Sequence, residues 1–174
     1  INFTQKSRQL EADRIRLVVL NDGIYQKYHF TSDFFNAYLS TNYNIKDLPN
    51  ALLDVAYSYC GNLLPVRSKN LVIAQDTSFK SIDIEVTTHH LAPILTMFLP
   101  KIEIADGTYA QIHTTSQHFD DKIKMTLPYL DINNKVLVHD IALEAEQDAS
   151  LNLNTKVAVD HVALGNDNFL IGDI

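Results

Sequence analysis

The chain has 174 residues, 46% of them hydrophobic and 20% charged, with 21 acidic side chains against 14 basic ones and a net charge of -7. This balance is typical of one folded domain and excludes a disordered chain. The acidic excess is greatest after residue 102, where 12 acidic residues stand against 4 basic ones. An acidic sheet repels phosphate backbones, so we expect no nucleic-acid partner.

No apolar run reaches the roughly 18 residues that a transmembrane helix needs, so we expect no membrane span within this segment and no signal peptide. The chain begins with Ile1 and ends in a strand-like pattern, Phe169 to Ile171. We therefore expect residues 1–174 to be a single β-rich domain and a fragment of a longer repetitive protein.

The first 43 residues predict an antiparallel meander. Residues 14–20 alternate charged and apolar side chains, Asn21-Asp22-Gly23 supply a turn, and residues 24–30 and 34–43 read as the next two strands. An Asp-Gly pair between apolar runs is a strong hairpin signal.

The apolar spacing then changes to three and four residues, which predicts an amphipathic helix over residues 45–64 with Asp47 as N-cap and Pro49 in its first turn. Its apolar stripe consists of Ile45, Leu48, Leu52, Val55, Ala56, Tyr59 and Leu63. Strands follow at residues 72–74 and 81–87. A second short helix is expected at residues 90–99, before Pro100.

Residues 101–105 and 108–114, on either side of Asp106-Gly107, predict another hairpin. Three further runs between Lys122 and Val159 alternate apolar and polar side chains with a period of two, which is typical of half-buried strands. The candidate apolar surface consists of Ile15, Leu17, Val19, Ile123, Met125, Leu127, Ile141, Leu143, Leu151, Leu153 and Val157.

The predicted fold class is therefore mainly β: a large antiparallel sheet, curled into an open groove (β-taco-like) or folded as a sandwich, with two inserted helices at about 45–64 and 90–99. A helix about 10 Å wide covers two strands spaced nearly 5 Å apart, so two helices leave part of a sheet of ten or so strands uncovered. That apolar surplus has to close on itself, meet a partner or hold acyl chains.

The sequence contains no motif that predicts a catalytic residue, a metal site or a cofactor, so we expect a protein that is not an enzyme. His89 and His90 are adjacent and would point to opposite faces of a strand, which weakens a metal site with His113 and His118. Asp120 and Asp121 are expected to flank a turn. Cys60 is the one cysteine, so no intrachain disulfide is possible.

The aromatic residues offer an alternative function. Tyr25, Tyr28, Phe30, Phe34, Phe35, Tyr38 and Tyr43 could form a stacking platform for sugars or bases, or pair across strands of an ordinary sheet. The first arrangement predicts a self-contained β-sandwich binding or adhesion module, whose aromatic strand or loops bind a protein or a glycan.

One stretch of the chain, Ser32-Asp33-Phe34-Phe35-Asn36-Ala37-Tyr38-Leu39 followed by Asp47-Leu48-Pro49, resembles sequences from the Bacteroidetes branch of the TamB family, within the AsmA-like group. The similarity covers about residues 15–174, including 82–87, 91–99, 102–108 and 151–155. It implies a long periplasmic cell-envelope protein anchored in the inner membrane, with a β-groove whose apolar interior carries phospholipid acyl chains or assists outer-membrane assembly. An outer-membrane barrel protein is the partner that this resemblance implies.

Overall fold

A computed structural model describes residues 2–5, 8–11, 14–53, 79–116, 120–147, 150, 152–164 and 171–172, with side chains between residues 14 and 164. Thirteen strands are described. In chain order they are β1 Asn2–Gln5, β2 Arg8–Glu11, β3 Ile15–Asn21, β4 Gln26–Ser32, β5 Phe35–Thr41, β6 Ser81–Thr88, β7 Ile102–Ile104, β8 Tyr109–Thr115, β9 Lys122–Ile132, β10 Val136–Gln147, β11 Leu153–Ala158, β12 His161–Leu164 and β13 Ile171–Gly172.

Eleven of the described strands form one sheet in the order β3-β4-β5-β6-β8-β9-β10-β12-β13, with β7 beside β9 and β11 beside β10. All its pairings are antiparallel. β1 and β2 form a separate two-stranded sheet, which is too small to be the second layer of a sandwich. The predicted mainly β fold with a large antiparallel sheet is confirmed, and the large sheet is open.

The opening meander is confirmed because β3, β4 and β5 pair in sequence order. At the first turn Gly23 has a φ of 92°, a left-handed conformation that favours glycine. The Asn21 side-chain oxygen accepts a hydrogen bond from the Gly23 N–H (2.8 Å), and Asp22 accepts one from Tyr25 (2.9 Å). Asn133 and Asn134 turn the chain between β9 and β10 with φ values of 62° and 54°.

The hairpin predicted around Asp106-Gly107 is wrong. β7 and β8 both pair antiparallel with β9, so they run in the same direction. They follow each other along the length of β9. Residues 105–108 interrupt this line, and the Gly107 N–H and the Thr108 carbonyl both bond to Thr88 at the end of β6 (each 2.9 Å). The Asp-Gly pair therefore lies in the connection between two strands that both pair with β9, and it does not reverse the chain.

The described helices are short. Residues 48–53 are helical (α1), so the helix begins three residues later than the predicted residue 45. Asp47 precedes the first helical residue, as predicted for the N-cap, and its carbonyl accepts a hydrogen bond from the Ala51 N–H (3.0 Å). The rest of the predicted helix, from residue 54, and the strand predicted at 72–74 lie outside the described residues. Ile45 precedes the helix and is 58% exposed, so its assignment to the helical stripe was wrong.

The second helix, α2, spans Ala92–Phe98 and ends before Pro100, as predicted. Both helices pack on the same side of the sheet. Leu48 and Ala51 of α1 form a buried cluster with Ile82 of β6. Met97 of α2 forms a second cluster with Phe34, and Phe35 at the start of β5 packs against this second cluster. These two clusters of buried residues lie near opposite ends of β5.

Candidate functional site

One side of the large sheet is apolar across its whole width. Cross-strand partners in an antiparallel sheet share a face, so the pairing registers define rows of side chains. One row crosses eight strands without a polar residue: Leu17, Phe30, Ala37, Val86, Ala110, Met125, Leu143 and Val157. The next row along is Val19, Tyr28, Leu39, Ile84, Ile112, Ile123, Ala145 and Thr155. The side of the sheet that carries these two rows is called the apolar face.

The structure brings the predicted surface residues together on this face. Met125 lies opposite Leu143, which lies opposite Val157, and Ile141 lies opposite Leu127. Alternation along β3 and β11 puts Ile15, Leu17, Val19 and Leu153 on the same side. Leu151 lies outside the described residues. The shared face is therefore established for the other ten candidates, while their binding role stays a prediction.

Exposure separates the edges of the apolar face from its middle. Leu17 and Val19 on edge strand β3 are 59% and 53% exposed, and Leu153 and Val157 on edge strand β11 are 47% and 53% exposed. Leu127, in contrast, is only 7% exposed and belongs to the packed interior. Accessible apolar area among the candidates therefore lies mainly along the two edges, where neither described helix packs.

The opposite side, the polar face, carries a row that consists of charged and hydrogen-bonding side chains from β4 to β11, with Val18 of β3 at its end. This row is Val18, His29, Tyr38, Glu85, Gln111, Lys124, Glu144 and Lys156. Lys124 Nζ lies 3.0 Å from Glu144 Oε1, and this hydrogen bond lowers the pKa of Glu144 below its usual value. Lys122 bridges Asp120 (2.9 Å) and Glu146 (3.5 Å), and His113 lies 2.6 Å from Asp83. These contacts link β8 to β6 and β9 to β10 on the polar face.

The titratable residues singled out in the sequence do not converge. His113 is engaged by Asp83, His89 and His90 follow β6, and His118 lies outside the described residues. Among the described residues no group of three or more His, Cys, Asp or Glu side chains could hold a metal ion. Cys60 is not described.

Asp120 and Asp121 have different environments. Asp120 is exposed and paired with Lys122, whose hydrogen bond lowers its pKa. Asp121 is fully buried, and its carboxylate accepts a hydrogen bond from the Thr115 N–H at 2.8 Å. One carboxylate is an ion-pair partner and the other holds the backbone, so they form no acid/base pair.

The aromatic residues do not form one platform. Phe30 stacks on Phe35 at 5.1 Å on the apolar face, while His29 meets Tyr38 edge-on at 4.7 Å on the polar face. Phe34 is buried against Met97. The aromatic residues of β4 and β5 are therefore divided between two faces, as cross-strand pairs of an ordinary sheet would be.

The residues missed by the sequence analysis are those that β4, β5, β6 and β8 contribute to the apolar face. Alternation in β6 already marked Ile82, Ile84 and Val86 as one set. What alternation could not give was the register that joins this set to Leu17 on one side and Met125 on the other. Only the strand order shows that the face is continuous.

Among the described residues, no helix has the length and apolar character required to cross a bilayer. The chain matches no protein-family model, no curated protein and no solved structure in three separate comparisons.

Proposed function

We propose that the apolar face binds the acyl chains of phospholipids, and that the chain is a non-enzymatic segment of a TamB-like, periplasmic lipid-conduit protein. The resemblance of residues 15–174 to that family supports the cellular setting: a parent chain anchored in the inner membrane and an outer-membrane barrel protein as a partner. The apolar face supports the chemistry.

The observation that carries the proposal is the apolar row from Leu17 to Val157. At a strand spacing of roughly 4.8 Å, eight strands make this row about 34 Å wide. The two described helices pack near opposite ends of β5, and the row's outer residues remain about half exposed. Each CH₂ group of an acyl chain that leaves water contributes roughly 0.8 kcal/mol. Such binding depends on area, so no single polar residue is essential.

The alternative of a glycan-binding or adhesion module predicted an aromatic platform on the strand at residues 34–43. Phe35 and Tyr38 lie on opposite faces of β5, so that strand offers no continuous platform on either side. This division favours the lipid proposal.

The test is a paired substitution at the exposed edges. Leu17→Asn with Val157→Asn places a polar group on each side of the apolar face, at positions whose exposure limits the cost to folding. We expect purified wild-type protein to carry phospholipid, detected by organic extraction and mass spectrometry, and the double variant to lose most of it.

The matched control is Ile24→Asn, because Ile24 is 73% exposed in the β3–β4 turn and belongs to neither strand. We expect this control to retain wild-type lipid content, and circular dichroism should show the same strand content in all three proteins. Equal lipid content in the double variant and the wild type, or no lipid in the wild type after exposure to phospholipid vesicles, would overturn the proposal.

A further inference from the structure

The edge strand β3 carries Arg16 beside Val18 and Leu20 on one face, and the apolar side chains of Ile15, Leu17 and Val19 on the other. Arg16 lies on the polar face, in one cross-strand row with Thr31 and Asn36. Its sequence neighbour Leu17 points to the apolar face and is 59% exposed. Because β3 is at the edge of the sheet, a ligand that passes around this one strand reaches both Arg16 and Leu17.

The polar face is concave beside this strand. Two neighbouring clefts, of about 660 and 770 Å³, share Arg16, Thr31 and Asn36 as lining residues. The first cleft extends toward His29 and Tyr38, and the second toward His89 and the Arg14 side chain. The shared residues offer a guanidinium, a hydroxyl and an amide, all of which donate hydrogen bonds to a phosphate oxygen.

The charge around the clefts favours an anion at Arg16. Asp33 is held by Arg14, whose Nε lies 3.2 Å from its Oδ1 and whose backbone N–H donates to Oδ2 at 3.0 Å. Glu85, at the far side of the first cleft, accepts a hydrogen bond from Tyr109. Among the described residues no carboxylate lies within ion-pair distance of the Arg16 guanidinium.

We propose that the β3 edge binds a phosphate-bearing amphiphile astride the strand, with the phosphate at Arg16, Thr31 and Asn36 and the acyl chain on Leu17 and Val19. The inference rests on the proposed function, because it takes the apolar face as the acyl-chain surface. It adds a preferred headgroup charge and a direction: the chain enters the apolar face across β3.

The experiment separates headgroup from chain with three probes, each titrated into the 174-residue protein by calorimetry. Dodecyl phosphate carries both parts, dodecyl maltoside carries the same chain on an uncharged headgroup, and inorganic phosphate carries no chain. Both amphiphiles are kept below their micellar concentrations. We expect dodecyl phosphate to bind more tightly than either of the others.

Arg16→Gln should then weaken dodecyl phosphate about tenfold, equivalent to about 1.4 kcal/mol for a charge-assisted hydrogen bond, and leave dodecyl maltoside within about twofold. The matched control is Lys156→Gln, which removes the same charge from the polar face at the opposite edge strand, β11. Leu17→Asn should weaken both amphiphiles.

Equal effects of Arg16→Gln and Lys156→Gln, or equal affinity of the wild type for the two amphiphiles, would overturn the headgroup site and leave the acyl-chain proposal standing. Inorganic phosphate binding as tightly as dodecyl phosphate would identify a free-anion site and also overturn it. Binding of neither amphiphile to the wild type would overturn the acyl-chain proposal together with this one.

Discussion

At the scale of single residues, Asp121 ties three strands together. Its buried carboxylate accepts the Thr115 N–H at the end of β8, and its carbonyl accepts the Gln147 N–H at the end of β10, at 2.8 and 2.9 Å. Asp121 itself leads directly into β9. A carboxylate that satisfies a buried backbone donor strengthens a structure mainly because removing it leaves that donor without a partner.

We therefore expect Asp121→Ala to lower the free energy of unfolding by about 2–3 kcal/mol, whereas Asp120→Ala, at the exposed neighbour, should leave it nearly unchanged. Urea unfolding followed by circular dichroism measures both. Asp121→Asn keeps a side-chain acceptor and should recover part of the loss. Similar effects of the two alanine variants would contradict the assigned role of Asp121.

At the scale of elements, the β9–β10 pair shows most clearly how the two faces of the sheet differ in their side chains. Met125 faces Leu143 on one side, while Lys124 faces Glu144 on the other. A slip of one residue would bring lysine and glutamate onto the apolar face, so the side chains themselves fix the register. The asparagine turn at residues 133–134 supports this register from the end of the hairpin.

The ion pair on the polar face predicts a pH dependence. The hydrogen bond from Lys124 lowers the pKa of Glu144 in the folded protein below its ordinary value of 4.5. The pair therefore contributes its full stability above the unfolded-state pKa and loses it as the pH falls through the lower folded-state pKa. We expect Glu144→Gln to lower Tm at pH 7, and the difference from wild type to shrink as calorimetry moves from pH 5 to pH 3.

Asp106→Asn serves as the control for that series, because Asp106 is exposed and forms no ion pair among the residues with described side chains. Its difference from wild type should vary little over the same pH range. A Glu144→Gln difference that stays constant from pH 7 to pH 3 would show that the ion pair is not responsible.

At the scale of the whole molecule, local alternation was enough to predict β9, β10 and β11 and the side on which their apolar residues lie. The same signal failed at Asp106-Gly107, because a turn sequence does not state which strand its flanks will pair with. It also could not place β3 and β11 at the two edges, since strand order depends on contacts between residues distant in sequence. The binding role proposed for Arg16 depends on the position of β3 at the edge of the sheet, which the sequence alone does not predict.

The apolar face predicts opposite behaviour for its centre and its edge. Ile82 is 1% exposed and packs against Leu48 and Ala51, so Ile82→Ala should lower the free energy of unfolding by about 2–4 kcal/mol. Leu17, on the same face, is 59% exposed, and Leu17→Ala should change it by less than about 0.5 kcal/mol.

Amphiphile affinity should rank these two variants the other way, with dodecyl maltoside binding weakened by Leu17→Ala and retained by Ile82→Ala at temperatures where that variant is folded. Urea unfolding and calorimetric titration of the same two preparations measure the two rankings. If Leu17→Ala instead destabilised the fold as much as Ile82→Ala does, the edge of the apolar face would be hydrophobic core. A binding surface requires apolar area that folding does not use, and the contrast between Leu17 and Ile82 measures whether the edge provides it.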